Sequence, residues 1–189
     1  IPGGCNLGFR PIDIHLEALK KMGVKYKLVD GYINAKAKNG LVGAKIKFPK
    51  ISVGATENLM IAACLAKGQT VLSNCAIEPE IKDLSNFLCS MGAKIVWTGR
   101  RQVKIIGVKT FKQSNYKIMF DRIEAGTMLV AAAINQGNLK LTGIETDILK
   151  TEINVLKKIG AKIIQKKNEI IIQGNKKIKN ININTSPYP

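Results

Sequence analysis

The spacing of hydrophobic positions along the chain switches repeatedly between two patterns. Over residues 11–22 apolar side chains recur every three or four positions, which predicts a helix, and Gly23 follows as its stop. Apolar and polar residues then alternate over 24–28 and 32–37, which predicts two strands joined by a turn at Asp30-Gly31. Next come a predicted strand at 46–48, an almost wholly apolar and therefore buried helix over 55–66, a stop at Gly68 and a strand at 70–72.

This order of elements recurs at a fixed interval. The helix stops Gly23, Gly92 and Gly160 are 69 and 68 residues apart, and Gly68 and Gly137, which follow the apolar helices, are also 69 apart. The second cycle comprises a helix over 81–91, strands at 94–97 and 103–106 around a turn at Gly99-Arg100, a buried helix over 125–134 and a strand at 139–141. The third comprises a helix through 149–156 and strands at 162–164 and 169–172. A repeat this long is a folding unit, of βαβαββ type, rather than one rung of a solenoid.

The two patterns also predict how the elements are layered. Strands with one polar face belong at the surface, and helices that are apolar nearly all round belong inside, so we expect an α/β (α+β) fold with sheets outside and helices inside. About two and a half repeats fit into the 189 residues. We therefore expect the chain to be a piece of a longer protein.

Composition narrows the class of protein. A hydrophobic fraction of 46% is typical of a globular chain with a core, and no apolar run approaches the ~20 residues that span a bilayer. The formal net charge of +17 is compatible with nucleic-acid binding, but the cations are mostly lysines spread along the chain, and Trp97 is the single tryptophan. The even spread and the lack of stacking aromatics favour a solvated surface over a nucleic-acid partner.

The cysteines show no C-x-x-C pair, and His15 is the single histidine, so no zinc site is predicted. Cys64 and Cys89 lie on apolar helical faces, which predicts buried, inert thiols. Free thiols of this kind indicate a reducing, cytoplasmic location.

The opening segment carries the strongest chemical signal. Cys5 lies among Gly3, Gly4 and Gly8, so a mobile loop could bring its thiol to a ligand, although an ordinary loop cysteine remains the alternative. Arg10 precedes Pro11, which fits the first turn of a helix, and the helix start would add to the pull of the guanidinium on an anion. The segment predicts chemistry on a phosphorylated or carboxylated substrate.

Three further segments precede helices. In residues 50–56, Ser52 can cap the buried helix and Gly54 can admit a ligand, so the segment is either a diphosphate cradle or a plain N-cap. Glu78 and Glu80 flank Pro79 at another helix start, where capping is the default explanation. Asp121 and its neighbours precede the second buried helix, where a cap and a local ion pair are the alternative. We assign His15 no catalytic role.

Together these segments resemble those of the UDP-N-acetylglucosamine 1-carboxyvinyltransferases, a branch of the EPSP synthase family of enolpyruvyl transferases. The matching motifs are Pro2-Gly3-Gly4-Cys5 with Gly8 and Arg10-Pro11, Ser52-Val53-Gly54-Ala55-Thr56, Glu78-Pro79-Glu80-Ile81, Asp121-Arg122-Ile123-Glu124 and Thr185-Ser186-Pro187-Tyr188-Pro189. The resemblance covers the whole chain. It implies an inside-out α/β barrel (alpha-beta prism) of two domains, each built from three βαβαββ units, with most of one domain in residues 1–120 and the first part of the other in 121–189.

The resemblance also implies a reaction. Enzymes of this branch transfer the enolpyruvyl group of phosphoenolpyruvate to the 3′-hydroxyl of UDP-N-acetylglucosamine with release of phosphate, the first committed step of peptidoglycan synthesis. Cys5 matches the loop cysteine that donates a proton, forms a covalent adduct with phosphoenolpyruvate and is alkylated by fosfomycin. The implied substrate-binding residues are Arg10, Pro11, Ile12, Asp13, Ile14, Lys50, Ile51, Ser52, Val53, Gly54, Glu78, Asp121 and Arg122.

By the same resemblance the partners are the two small substrates, and no cofactor or metal is needed. The catalytic aspartate of these enzymes lies outside the 189 residues, so we expect this piece alone to be inactive.

Three alternatives stay open on sequence grounds. An EPSP synthase shares the fold and reaction type but uses shikimate 3-phosphate and lacks the Gly-Gly-Cys loop. A basic RNA-binding protein is possible through the RNA 3′-phosphate cyclases, whose fold has similar units. The third alternative is a scaffold without catalytic activity.

Overall fold

The computed structural model describes residues 11–175 and 177–185. The contacts divide the chain into two compact units, the first running through Ile118 and the second beginning at Met119. The assignment of 1–120 and 121–189 to two family domains stays a prediction.

The first unit contains three helices and six strands among its described residues. In chain order they are α1 (Asp13–Lys21), β1 (Lys25–Val29), β2 (Tyr32–Lys36), β3 (Lys45–Lys47), α2 (Val53–Cys64), β4 (Gln69–Ser73), α3 (Pro79–Ser90), β5 (Lys94–Gly99) and β6 (Gln102–Ile106). The predicted hairpin of β1 and β2 is confirmed: the strands pair antiparallel, and Asp30 and Gly31 adopt positive φ values of 48° and 79° at the turn. Such a turn matches the right-handed twist of the strands that it joins.

A four-stranded sheet in the order β3-β4-β6-β5 organises this unit. β3 and β4 are parallel, and the other neighbours are antiparallel. Parallel neighbours need a crossover, which α2 supplies. The chain from β3 to β6 therefore has the order βαβαββ, which confirms the predicted repeat.

The core of the first unit is built around α2, which contacts α1, α3, β4 and β6. Its buried apolar side chains, Ala55, Leu59, Met60, Ala63 and Cys64, are all 0% exposed. Burial of this kind on several sides is why the segment is apolar nearly throughout rather than amphipathic. The helix begins at Val53, two residues before the predicted start.

The second unit repeats part of this arrangement. Its elements are α4 (Arg122–Ile134), β7 (Asn138–Thr142), a 3₁₀ helix (Thr146–Leu149), α5 (Lys150–Lys158), β8 (Lys162–Lys166) and β9 (Glu169–Gln173). Its sheet has the order β7-β9-β8, antiparallel throughout, as in the order β4-β6-β5 of the first unit. Leu129, Leu149, Ile153, Ile170 and Ile172 fill its core.

Two local predictions are wrong. The first helix begins at Asp13 with Ile12 as its N-cap residue, so Pro11 precedes the helix instead of occupying its first turn. The turn after β5 lies at Arg100-Arg101, because Gly99 still pairs with Gln102 after a register shift that follows Trp97. Both errors concern the ends of elements, which hydrophobic periodicity does not fix to the residue.

Candidate functional site

Two of the predicted segments meet at one edge of the first sheet. β3 and β4 are parallel, with Lys47 opposite Ser73 at their carboxyl ends. After β3 the chain continues through residues 48–54, which include the first two residues of α2, and after β4 it continues through residues 74–78, which lead into α3. We call these two segments the β3/β4 edge. Open α/β sheets bind ligands outside the carboxyl ends of parallel strands, so the edge is the candidate site.

The start of α2 is shaped to receive an anion. Ser52 is extended, with φ −143° and ψ 120°, and its Oγ accepts a hydrogen bond of 3.3 Å from the N–H of Ala55. The predicted N-cap is thus confirmed. No acidic residue occupies the first turn. The remaining leading N–H groups have no intrahelical partner, and the positive end of the helix dipole favours a negative ligand there.

His15 lies against this helix start. A Cβ placed on Gly54 would come 3.4 Å from His15 Nε2, so the imidazole ring packs over the bare backbone of Gly54. Nδ1 of His15 is buried and has no hydrogen-bond partner within the described parts of the chain. Sequence reasoning gave His15 no role, since only the packing of α1 on α2 brings the two residues together.

The start of α3 differs from the capping alternative. Glu78 is the N-cap residue of α3, but its side chain makes no cap hydrogen bond. Its Oε2 instead accepts a hydrogen bond of 2.9 Å from the N–H of Ile77, which holds the carboxylate against the backbone that precedes it. The carboxylate of Glu78 is therefore held in place without capping the N–H groups of α3.

Glu57 of α2 lies near two other carboxylates, those of Glu78 and Glu80. Burial raises the pKa of Glu57 above its usual value, and the negative charges of Glu80 and Glu78 raise it further. A positive ligand group would be favoured beside these acids. In the range that the structure covers, however, no three His, Cys, Asp or Glu side chains are grouped so as to hold a metal ion.

Two buried cysteines of the first unit, Cys75 in the β3/β4 edge and Cys64 at the far end of α2, are not nucleophiles at neutral pH. Burial raises the pKa of Cys64 to about 11 and that of Cys75 to about 12, so both thiols stay protonated at neutral pH. The predicted burial is confirmed for Cys64 and wrong for Cys89, which is exposed near the end of α3. The buried residues of α3 are Ile81, Ser85 and Leu88, and Cys89 follows directly after that face.

The other predicted residues are distributed as follows. Asp13 and Ile14 line a groove of about 110 Å³ together with Phe48 and Pro49, which places the start of α1 beside the β3/β4 edge. Ile14 is only 8% exposed, so its side chain belongs to the core. Exposed or partly exposed positions are occupied by Pro11, Ile12, Lys50, Ile51 and Val53.

Four predicted residues lie either in the second unit or outside the described residues. Asp121 and Arg122 belong to the second unit, where Asp121 Oδ1 caps α4 by accepting hydrogen bonds of 2.8 and 3.1 Å from the N–H groups of Ile123 and Glu124. Cys5 and Arg10 lie outside the described residues. The role of each as a site residue stays a prediction.

Comparison with known families decides the class of protein. The family model described as EPSP synthase (3-phosphoshikimate 1-carboxyvinyltransferase) matches residues 1–189. The chain belongs to the EPSP synthase family. The fold and the resemblance predicted from the motifs are confirmed by this match.

Relatives within the family carry a more specific name. Over all 189 residues the chain is 68% identical to the UDP-N-acetylglucosamine 1-carboxyvinyltransferase of Pelagibacter ubique. It is 49% identical to the UDP-N-acetylglucosamine 1-carboxyvinyltransferase 2 of Clostridium tetani. In both cases the matched region is 100% of this chain and 45% of the relative, so the chain spans less than half the length of these proteins.

Solved structures share the fold of this EPSP synthase family member. The enolpyruvyl transferase NikO of Streptomyces tendae matches with a TM-score of 0.76 at 20% identity, over 87% of this chain and 42% of NikO. An EPSP synthase of Acinetobacter baumannii matches with a TM-score of 0.68 at 19% identity, over 93% of this chain and 42% of that protein.

No helix in the described ranges is long and apolar enough to cross a membrane.

Proposed function

We propose that the protein to which these 189 residues belong transfers the enolpyruvyl group of phosphoenolpyruvate to the 3′-hydroxyl of UDP-N-acetylglucosamine and releases phosphate. The observation that carries this proposal is the 68% identity, over the whole chain, to a protein named for that reaction. The start of α2 at the β3/β4 edge supports the proposal, because a helix start that is capped by Ser52 and has no acidic residue in its first turn suits the diphosphate of a sugar nucleotide.

The reaction proceeds by addition and elimination. The sugar hydroxyl gives its proton to a base as its oxygen bonds to the central carbon of phosphoenolpyruvate, and a proton is delivered to the methylene carbon, giving a tetrahedral phospho-ketal. Phosphate then leaves the central carbon, and a proton leaves the new methyl group, which restores the double bond. Cys5 is the proposed proton donor and can carry a covalent pyruvyl adduct, and Arg10 is proposed to hold the phosphate.

The β3/β4 edge is proposed to bind the sugar nucleotide. Lys50 adds an exposed cation next to the start of α2, where Ser52, Val53 and Gly54 present backbone to the ligand. Asp13 and Ile14, in the first turn of α1, line a groove with Phe48 beside the same edge, and residues 11–14 are proposed to contact the sugar nucleotide there. Glu78, Asp121 and Arg122 are proposed as supporting site residues. No cofactor or metal enters the proposal, and we place the reaction in the cytoplasm.

A direct test uses the full-length protein with both substrates. We expect release of phosphate and a product whose mass equals UDP-N-acetylglucosamine plus the enolpyruvyl group. Shikimate 3-phosphate offered as the acceptor tests the EPSP synthase reaction, which the family description favours. If the protein turns over shikimate 3-phosphate and not UDP-N-acetylglucosamine as the acceptor, the proposal is wrong and the protein is an EPSP synthase.

Fosfomycin tests the role of Cys5 separately. After incubation with fosfomycin and UDP-N-acetylglucosamine, peptide mapping by mass spectrometry should find the adduct on Cys5. Exposed Cys89 is the matched control for simple accessibility, and buried Cys64 and Cys75 are controls for inert thiols. An adduct that is equally frequent on Cys5 and Cys89 would mean that Cys5 has no special reactivity.

A further inference from the structure

One buried hydroxyl connects the two segments of the β3/β4 edge. Thr56, in the first turn of α2, is 0% exposed. Its Oγ1 donates a hydrogen bond of 2.7 Å to the carbonyl oxygen of Ser52 and accepts one of 3.0 Å from the N–H of Ala76. A threonine hydroxyl has a single proton to donate, so its donor and one of its acceptor sites are both in use.

The two hydrogen-bond partners of this hydroxyl lie beside the two groups that are proposed to bind the sugar nucleotide, namely the start of α2 and Glu78. Ser52 is the N-cap residue of α2, and its carbonyl also accepts from the N–H of Thr56. Ala76 is two residues before Glu78 and is itself 0% exposed. One side-chain atom, Oγ1 of Thr56, therefore links the start of α2 directly to the loop that leads into Glu78.

Other hydrogen bonds hold the same loop farther from the two binding groups. Asn74 Nδ2 donates to the carbonyl oxygen of Phe48 at 3.0 Å. Cys75 and Arg101 exchange two hydrogen bonds of 3.0 Å, one from the N–H of Cys75 and one from Nη1 of Arg101. These contacts fix the beginning of the loop, whereas Thr56 fixes the part that leads into Glu78.

We propose that Thr56 is a positioning residue for the sugar nucleotide: its hydroxyl sets the start of α2 against the Glu78 segment without touching the ligand. The inference rests on the proposed function. Removing the hydroxyl leaves the buried N–H of Ala76 without its partner, and the loop must shift to find another. Displacements of about 1 Å in a binding constellation can cost up to about a hundredfold in rate or affinity.

The chain offers a matched control in Thr70 of β4. Thr70 is also 0% exposed, but its Oγ1 has no hydrogen-bond partner within the described part of the chain. Thr56→Val and Thr70→Val therefore make the same chemical change in two fully buried threonines. The hydroxyl of Thr56 is hydrogen-bonded, whereas that of Thr70 has no partner within the described part of the chain. Thr56→Ser keeps the hydroxyl and serves as the rescue variant.

The experiment uses the full-length protein and its three variants. Calorimetry measures the Kd for UDP-N-acetylglucosamine, steady-state kinetics measures KM for each substrate, and hydrogen exchange follows the peptide that contains Ala76. In Thr56→Val we expect the Kd and KM for the sugar nucleotide to rise about tenfold or more, the KM for phosphoenolpyruvate to change less than about twofold, and exchange at Ala76 to speed up. Thr56→Ser and Thr70→Val should resemble wild type.

Each other outcome has a defined meaning. Faster exchange at Ala76 with unchanged Kd would make Thr56 purely structural and overturn the inference, as would an equal effect of Thr70→Val. If Thr56→Val does not fold, Thr56→Cys replaces it, and a Kd within about twofold of wild type in that variant overturns the inference. Wild-type protein that binds no UDP-N-acetylglucosamine would instead reject the proposed function, while exchange at Ala76 would still decide whether the hydroxyl orders the loop.

Discussion

Asn74 reaches across the β3/β4 edge to Phe48. Its Nδ2 donates a hydrogen bond of 3.0 Å to the carbonyl oxygen of Phe48, from the loop after β4 to the loop after β3. Asn74 also adopts a φ of 60°, in the left-handed region that asparagine tolerates better than most residues. A single residue thus combines a special backbone conformation with a contact between two segments of the proposed site.

Replacing Asn74 should separate these two contributions. Asn74→Gly loses the hydrogen bond but keeps the backbone conformation, and should cost about 1 kcal/mol of unfolding free energy. Asn74→Ala also meets the steric cost of a positive φ and should cost about 2 kcal/mol. Urea denaturation of the full-length protein measures both. An alanine variant as stable as the glycine variant would show that the backbone conformation carries no cost.

Gly54→Ala should affect binding more than stability. The new Cβ would lie 3.4 Å from His15 Nε2, an ordinary contact, and alanine favours the helix by up to about 1 kcal/mol. The methyl group would crowd the helix start where the diphosphate is proposed to bind, so we expect the Kd for UDP-N-acetylglucosamine to rise about tenfold.

Gly126→Ala in α4 is the control for Gly54→Ala. Its Cβ would lie 3.8 Å from Cγ of Glu152, so the helix should gain stability there too. Thermal denaturation and calorimetry compare the two variants. Weaker binding in both, or in neither, would remove Gly54 from the proposed binding surface.

The cap at Asp121 should be measurable as stability. Its Oδ1 accepts hydrogen bonds from two leading N–H groups of α4, and removal of such a cap costs about 1 kcal/mol. We expect Asp121→Ala to lower the unfolding free energy by about that amount and Asp121→Asn to lose only a few tenths, since asparagine also caps helices. A loss of activity in Asp121→Asn at unchanged stability would support the proposed role of Asp121 in the site.

The buried thiols should make stability fall at alkaline pH. Burial raises the pKa of Cys64 to about 11 and of Cys75 to about 12, from 9.0 for an ordinary thiol. The contribution of the two thiols to the unfolding free energy is fully present below pH 9, because the folded and the unfolded chain then both hold the thiol protons. It is lost as the pH rises from about 9 towards 11 and 12, because the unfolded chain releases protons first.

Substitution isolates this effect from the titration of other groups. Urea denaturation across pH 8 to 10.5 should show a shallower decline of unfolding free energy in Cys64→Ala and Cys75→Ala than in wild type, whatever their stability at pH 8 (about 1.4 kcal/mol per pH unit is the limit for one proton). Cys89→Ala, at an exposed thiol, should leave the slope unchanged. Equal slopes in all four proteins would contradict the assignment.

The sequence predicted several local features of this protein correctly, namely where three helices stop and which residue caps α2. Gly23, Gly92 and Gly160 end their helices with φ values of 95°, 96° and 107°, as their positions in the repeat predict. The cap at Ser52 is also confirmed. In each case the deciding forces act within a few residues: steric freedom at a glycine, or a side chain that bonds to the backbone three positions away.

Contacts between distant residues were decided by the tertiary structure. His15 over Gly54, Thr56 bonded to Ala76, and the exposure of Cys89 depend on how α1, α2 and α3 pack around one another. Periodicity tells which face of a helix is apolar, but it leaves open the rotation and the neighbour against which that face packs. The sequence by itself therefore determined the repeat, the glycine stops of the helices and the family motifs. Packing alone determined which polar atoms of those motifs meet, because hydrogen bonds form only at distances that neighbouring elements set.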